Sequence, residues 1–282
     1  MVYAVITATF WGASDFFGGA WRRDTPVFVV VAVSQLLTLV LLLPVLLVHG
    51  VGLPDNPRLL YAGLAGLGVT LELRLVYLAL SRGEAFITAP VGALGATLAV
   101  LLGLLGGDRL SPVIGLGLLC AILGGGISAW RPRSTPVRGS SLHAIGLCLG
   151  AALGLGVMLS SFHAAGRVDP YWATALVTAT TALPASLAAV VGNGRSLRRR
   201  LPPASRLPGL TLIGLAGLLG DLAYATASRQ GTLSIVSAIS SLYPVSTIAL
   251  GMGLQGQRTG RVQASGIVIA LAGAALLGAA RG

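Results

Sequence analysis

The segment RLVYLALSR at Arg74 to Arg82 returns at one constant offset as DLAYATASR at Asp221 to Arg229, with Tyr77, Ser81 and Arg82 falling on Tyr224, Ser228 and Arg229. Working outward, residues 2 to 130 lie against residues 142 to 280, and Gly107, Arg109, Gly117 and Gly124 match Gly256, Arg258, Gly266 and Gly273. The chain therefore reads as two copies of one unit. Stretches of about 20 apolar residues, long enough to cross a bilayer as helices, occur ten times, five in each copy. Their expected spans are Tyr3 to Ala20, Val27 to Val48, Leu59 to Leu80, Ala85 to Leu105 and Pro112 to Trp130. The second copy gives Leu142 to Ala164, Tyr171 to Val191, Gly209 to Ala227, Leu233 to Leu254 and Val262 to Ala280. An odd number of spans per copy makes consecutive copies enter the membrane from opposite faces, which is an inverted repeat. The expected fold is an all-α integral membrane protein of ten transmembrane helices. It divides into residues 1–133, a basic linker at 134–141 and residues 142–282.

Composition agrees with this reading. The 282 residues are 55% apolar and only 10% charged, against about 25% charged in an ordinary soluble protein. Forty glycines follow no collagen period and read as helix-contact residues in a bilayer. The formal charge of +11 comes from arginine, because lysine is absent. That disfavours a phosphate-cradling loop that needs its Lys and an imine enzyme that needs an amine. The arginines punctuate the apolar runs instead of forming a patch with aromatic residues, so nucleic acid is not an expected partner.

Arginine gathers after the odd-numbered spans, at Arg22, Arg23, Arg82, Arg131, Arg133, Arg138, Arg195, Arg198, Arg199, Arg200, Arg206, Arg258 and Arg261. Cytoplasmic loops carry such an excess, which places both termini outside the cytoplasm. No positive charge precedes the first apolar run, so that run reads as a retained span and not as a signal peptide. The expected location is the cell membrane, in a bacterium the inner membrane, as a multi-pass monomer or homodimer.

Three motifs carry a family likeness: WGASDFFGG at Trp11 to Gly19, SSLYPV at Ser240 to Val245, and the glycine pair Gly266 and Gly273 seven residues apart. In order and spacing they resemble the EamA-type carriers of the drug/metabolite transporter superfamily, ten-helix proteins made of two five-helix repeats. Two departures stand out. Asp108 keeps the family's acidic residue before the Arg leading into the last span of the first half, whereas Gln257 replaces it in the second. GALGAT at Gly92 to Thr97 lacks the Leu-Tyr-Pro of its counterpart. The resemblance implies secondary transport of small metabolites or drugs, often export of amino acids or related compounds, through a central cavity reached alternately from each side.

Ionisable groups at bilayer depth cost about 2.5 to 3.5 kcal/mol on insertion scales, so they point to the pathway. Asp15, Glu72, Arg74 and Asp221 qualify. Gly66, Thr70, Arg74, Tyr77 and Ser81 form one polar, partly small stripe on the third span. Gly214, Gly217, Asp221, Tyr224 and Ser228 repeat it on the eighth. The expectation is that both stripes line a cavity in which Arg74 and Asp221 hold the two ends of a zwitterionic substrate; the alternative is a permanent ion pair fastening the halves. Asp15 sits among Gly12, Gly18 and Gly19, where close helices leave it poorly hydrated and make it a candidate to exchange protons; the alternative is an acid neutralised by Arg74 or capped by Ser14 and Gln35. Glu72 is the second proton-coupling candidate, with a structural pairing as its alternative.

Tyr243 and Pro244 interrupt the ninth span, a break tolerated where backbone borders a cavity. Ser237, Ser240 and Ser241 precede it and offer hydroxyls to a substrate or small surfaces for packing. Trp11 is a candidate for the cavity wall. His49, His143 and His163 are scattered, and Cys120 and Cys148 lack ligand spacing, so neither a metal nor any other cofactor is expected. A membrane-embedded aspartyl protease would need G-x-G-D, but Leu218 stands where the first glycine should be before Gly220 and Asp221. The expectation is therefore no enzyme, and a passive facilitator remains the alternative to a carrier.

Overall fold

The structure is a computed structural model that describes residues 1–21, 25–50, 52–81, 88–128, 141–193, 201–256 and 259–279. Among these residues every long element is an α-helix. The first half holds α1 (Val2–Trp21), α2 (Val27–His49), α3 (Leu60–Ser81), α4 (Thr88–Leu105) and α5 (Pro112–Ser128). The second holds α6 (Ser141–Gly166), α7 (Pro170–Asn193), α8 (Leu207–Gln230), the pair α9 (Leu233–Ser240) and α10 (Tyr243–Gln255), and α11 (Arg261–Ala279). Seven spans among the described residues are long and apolar enough to cross a membrane. The apolar segments of α4 and α5, Val91–Leu105 and Pro112–Ser128, are shorter.

Helix limits follow local chemistry. Pro57, Pro112, Pro170 and Pro208 stand in first turns, where the absent N–H is not missed. Gly50 ends α2 in the left-handed region, φ 66°, with its N–H returning to the Leu46 carbonyl. The ninth span is broken at Ser241–Leu242, just ahead of Pro244 in the first turn of α10. The equivalent α4 runs unbroken from Thr88 to Leu105, as its lack of Leu-Tyr-Pro leads one to expect.

Packing repeats between the halves. Helix α3 lies on α6 as α8 lies on α1, α4 lies on α6 as α9 and α10 lie on α1, and α3 meets α7 as α8 meets α2. Helix α5 packs on its own counterpart α11, and α2 on its counterpart α7. These pairings survive exchange of the two halves.

The α5–α11 contact also gives direction. A Cβ on Gly117 would stand 2.9 Å from Leu277 Cγ and 3.2 Å from the Gly273 carbonyl; one on Gly124 would meet Ala270 and, at 2.8 Å, the Gly266 carbonyl. As residue numbers rise along α5 they fall along α11, so these equivalent helices run antiparallel. Four glycines let the two backbones touch, which is how helices associate where lipid offers no hydrophobic drive. The same reasoning makes α3 and α6 antiparallel, because Gly68 meets Met158 and Gly154 meets Glu72.

Candidate functional site

Two small residues set the position of Trp11 on α1. At Gly12 a Cβ would stand 2.5 Å from the Tyr243 carbonyl oxygen, so glycine lets α1 close onto α10, where Thr247 Oγ1 donates to the Gly12 carbonyl at 3.0 Å. At Gly220 a Cβ would strike the Trp11 ring, so glycine opens α8 to receive the indole. The indole Nε1 then donates to Asp221 Oδ1 at 2.8 Å, joining the first half to the second at the middle of both helices.

Three further aromatic rings surround this bond. The Trp11 ring stacks on Tyr224 at 5.3 Å and meets Tyr243 edge-on at 6.5 Å. Tyr224 is wholly buried, and Phe162 of α6 lies 5.2 Å from its ring. Its hydroxyl donates to the Leu159 carbonyl at 2.7 Å and lies 3.1 Å from Ser237 Oγ of α9. Tyr224 is thus a fixed platform tying α8 to α6 and α9, with the indole on top.

Two further carboxylates lie on the side of Tyr243. Asp15, one turn along α1 from Trp11, and Glu72 of α3 lie within electrostatic reach of each other and of Tyr243. Asp15 is exposed, while Glu72 and Asp221 are half-buried. Trp11 thus touches Asp221, Tyr224 and Tyr243, with Ser237 behind Tyr224 and with Asp15 and Glu72 on the side of Tyr243.

Arg74 stands elsewhere. It shares the exposed face of α3 with Leu60, Leu64, Leu67, Leu71 and Leu78, spaced by threes and fours, while Glu72 is on the packed side. No ion pair joins Arg74 to Asp221, whose carboxylate is held by Trp11. Gly66, at the head of the expected polar stripe, meets Thr180 of α7 and so belongs to a helix contact. Ser241 Oγ returns to the Ala238 carbonyl at 2.8 Å, within the break itself. The side chains of Tyr77 and Ser81, with Arg82, Gln257, linker residues 134–140 and the arginines of 22–23, 129–140, 194–200 and 258, lie outside the described residues.

Some contacts were not anticipated from the sequence. Asp108 Oδ2 accepts from Ser234 N at 2.9 Å and from Ser234 Oγ at 2.7 Å, capping α9 from the turn after α4. Asp169 caps α7 through the N–H groups of Tyr171 and Trp172, at 2.9 and 2.8 Å, and its Oδ2 lies 3.1 Å from His49 Nε2. The Asp-Pro pair at 169–170 is a helix-start signal that could have revealed the second of these. Among the described residues no group of three His, Cys, Asp or Glu side chains is placed to hold a metal ion.

Comparison with known proteins gives the fold and the family. Over 98% of this chain and 94% of its own, a solved structure described as "Crystal structure of protein" superposes with a TM-score of 0.75 at 17% sequence identity. No curated protein gave a match. The model of the EamA-like transporter family matches residues 1–129 and again 142–279, one match for each half of the internal repeat. Two copies of its model cover nearly the whole chain, which therefore belongs to the EamA-like transporter family.

Proposed function

We propose that the protein is a secondary carrier that moves a small organic solute across the cell membrane by alternating access to a site at Trp11 and Asp221. The observation carrying this reading is the Trp11–Asp221 hydrogen bond, which places a half-buried carboxylate between the two halves at mid-helix depth. An ionisable group at that depth is costly and marks a pathway. In this reading ten spans cross the bilayer as two inverted five-helix repeats. The antiparallel run of the equivalent helices α5 and α11 supports the inversion.

Metabolites of the amino-acid type or drugs are the proposed cargo, and export is the proposed direction. Asp221 is the substrate-facing charge, with Asp15 and Glu72 as the groups that exchange protons with the gradient. Arg74 faces the membrane and extends its charged head toward the headgroups. The test is a flux screen of amino acids, nucleosides, sugars and cationic drugs in proteoliposomes, with and without an imposed pH gradient. Concentrative movement of at least one class that follows the gradient is the expected result. Flux that ignores the gradient would make the protein a passive facilitator, and no flux of any class would remove the carrier reading.

A further inference from the structure

The turn after α4 and the start of α9 are 126 residues apart in sequence but locked together in space. Asp108 lies just past Gly107, whose φ of +100° lets the chain reverse tightly enough to aim the carboxylate at α9. That carboxylate takes both the Ser234 N–H and the Ser234 hydroxyl, and the hydroxyl also lies 3.2 Å from the Val100 carbonyl. Helix α9 is eight residues long, buried from Ser234 through Ser240, and ends at the break before Pro244. One turn beyond Ser234, Ser237 touches the Tyr224 hydroxyl, and Tyr224 supports Trp11. A continuous path therefore runs from Asp108 through α9 to the Trp11–Asp221 bond.

The same end of the molecule carries a second tie. His49 at the end of α2 meets Asp169 at the start of α7 at 3.1 Å. The turns after α2, α4, α6 and α8 share this end, because the helices alternate in direction.

We infer that α9 is a gate helix, hinged at Ser241–Leu242 and latched by Asp108, and that this latch holds the central site shut toward the end of the molecule bearing the turns after α2, α4, α6 and α8. The first half has no equivalent device among its described residues, since α4 lacks the break. The inference rests on the carrier reading, but its test reads accessibility and not flux, so the two can fail separately.

The experiment uses the full chain in proteoliposomes with Cys120 and Cys148 replaced by alanine and Ala238→Cys placed on α9, where Ala238 is wholly buried. A membrane-impermeant maleimide reports opening. Asp108→Ala, which removes the acceptor of both Ser234 hydrogen bonds, is expected to raise the labelling rate by about tenfold, as is Ser234→Ala to a smaller degree, while Arg109→Ala, a change at the exposed neighbour, leaves it unchanged. In the opposite direction, an Asp108→Cys and Ser234→Cys pair, oxidised to a disulfide, is expected to abolish labelling until reduced. Should Asp108→Ala fold poorly, the disulfide pair still decides. Equal labelling in all variants, or labelling unaffected by the disulfide, would overturn the inference.

Discussion

At the residue scale, the Trp11–Asp221 bond and the Tyr224 platform behind it make different demands. Asn at 221 can still accept from the indole N–H, whereas Leu leaves that donor buried without a partner. Asp221→Leu is therefore expected to destabilise the protein by about 1–3 kcal/mol, and Asp221→Asn by much less; thermal unfolding in detergent checks the difference. Tyr224→Phe removes a hydroxyl held by the Leu159 carbonyl and by Ser237, both from other helices. It is expected to cost about 0.5–1.5 kcal/mol, plus a penalty for the carbonyl left behind, in the same measurement. Gly220→Val is the harsher change, since its side chain would occupy the space of the Trp11 ring.

The residue scale is also where sequence reading reached its limit. Charge, repeat and motif single out Trp11, Asp221, Tyr224, Ser237 and Tyr243 one by one, and the structure places their side chains side by side. The orientation of α3 was not legible. Gly66 and Thr70 share a helical stripe with Arg74, and a row of small and polar residues is the same signal for a packed face and for a wet one. Gly66 proved to be packed against α7, which turns Arg74 outward and leaves Glu72 facing the interior. The bond from Trp11 to Asp221 had only an indirect trace, the glycine at 220 that makes room for it.

At the element scale, the glycines of α5 and α11 and the break in the ninth span were both readable, one as a seven-residue spacing and the other as Tyr-Pro. Their structural partners explain why those residues are required. Gly124→Val would press a branched side chain onto Ala270 and the Gly266 carbonyl, and over-packing of this kind typically costs about 1–3 kcal/mol. Equilibrium unfolding of the variant should show that loss, and Gly115→Val, at a glycine whose added Cβ would meet nothing, should not. The cap that Asp108 provides for α9 was not readable. It joins two positions far apart in sequence through one side chain, and no periodicity records such a contact.

At the scale of the whole molecule, the proposed transport depends on two like bundles set head to tail around Trp11. The helix pairings survive exchange of the halves, and the antiparallel contact sets the equivalent helices α5 and α11 in opposite directions. Cysteines placed at Leu53 and Leu110 should therefore react with an impermeant reagent from one side of the membrane, and a cysteine at Leu201 only from the other. The most direct test is gradient-driven flux of the best solute from the screen, compared between the native protein and Asp221→Asn in the same proteoliposomes. Asp221→Asn is expected to fold, keep the Trp11 contact and lose about nine-tenths or more of the concentrative flux; native-level accumulation by the variant would contradict a substrate-facing role for Asp221.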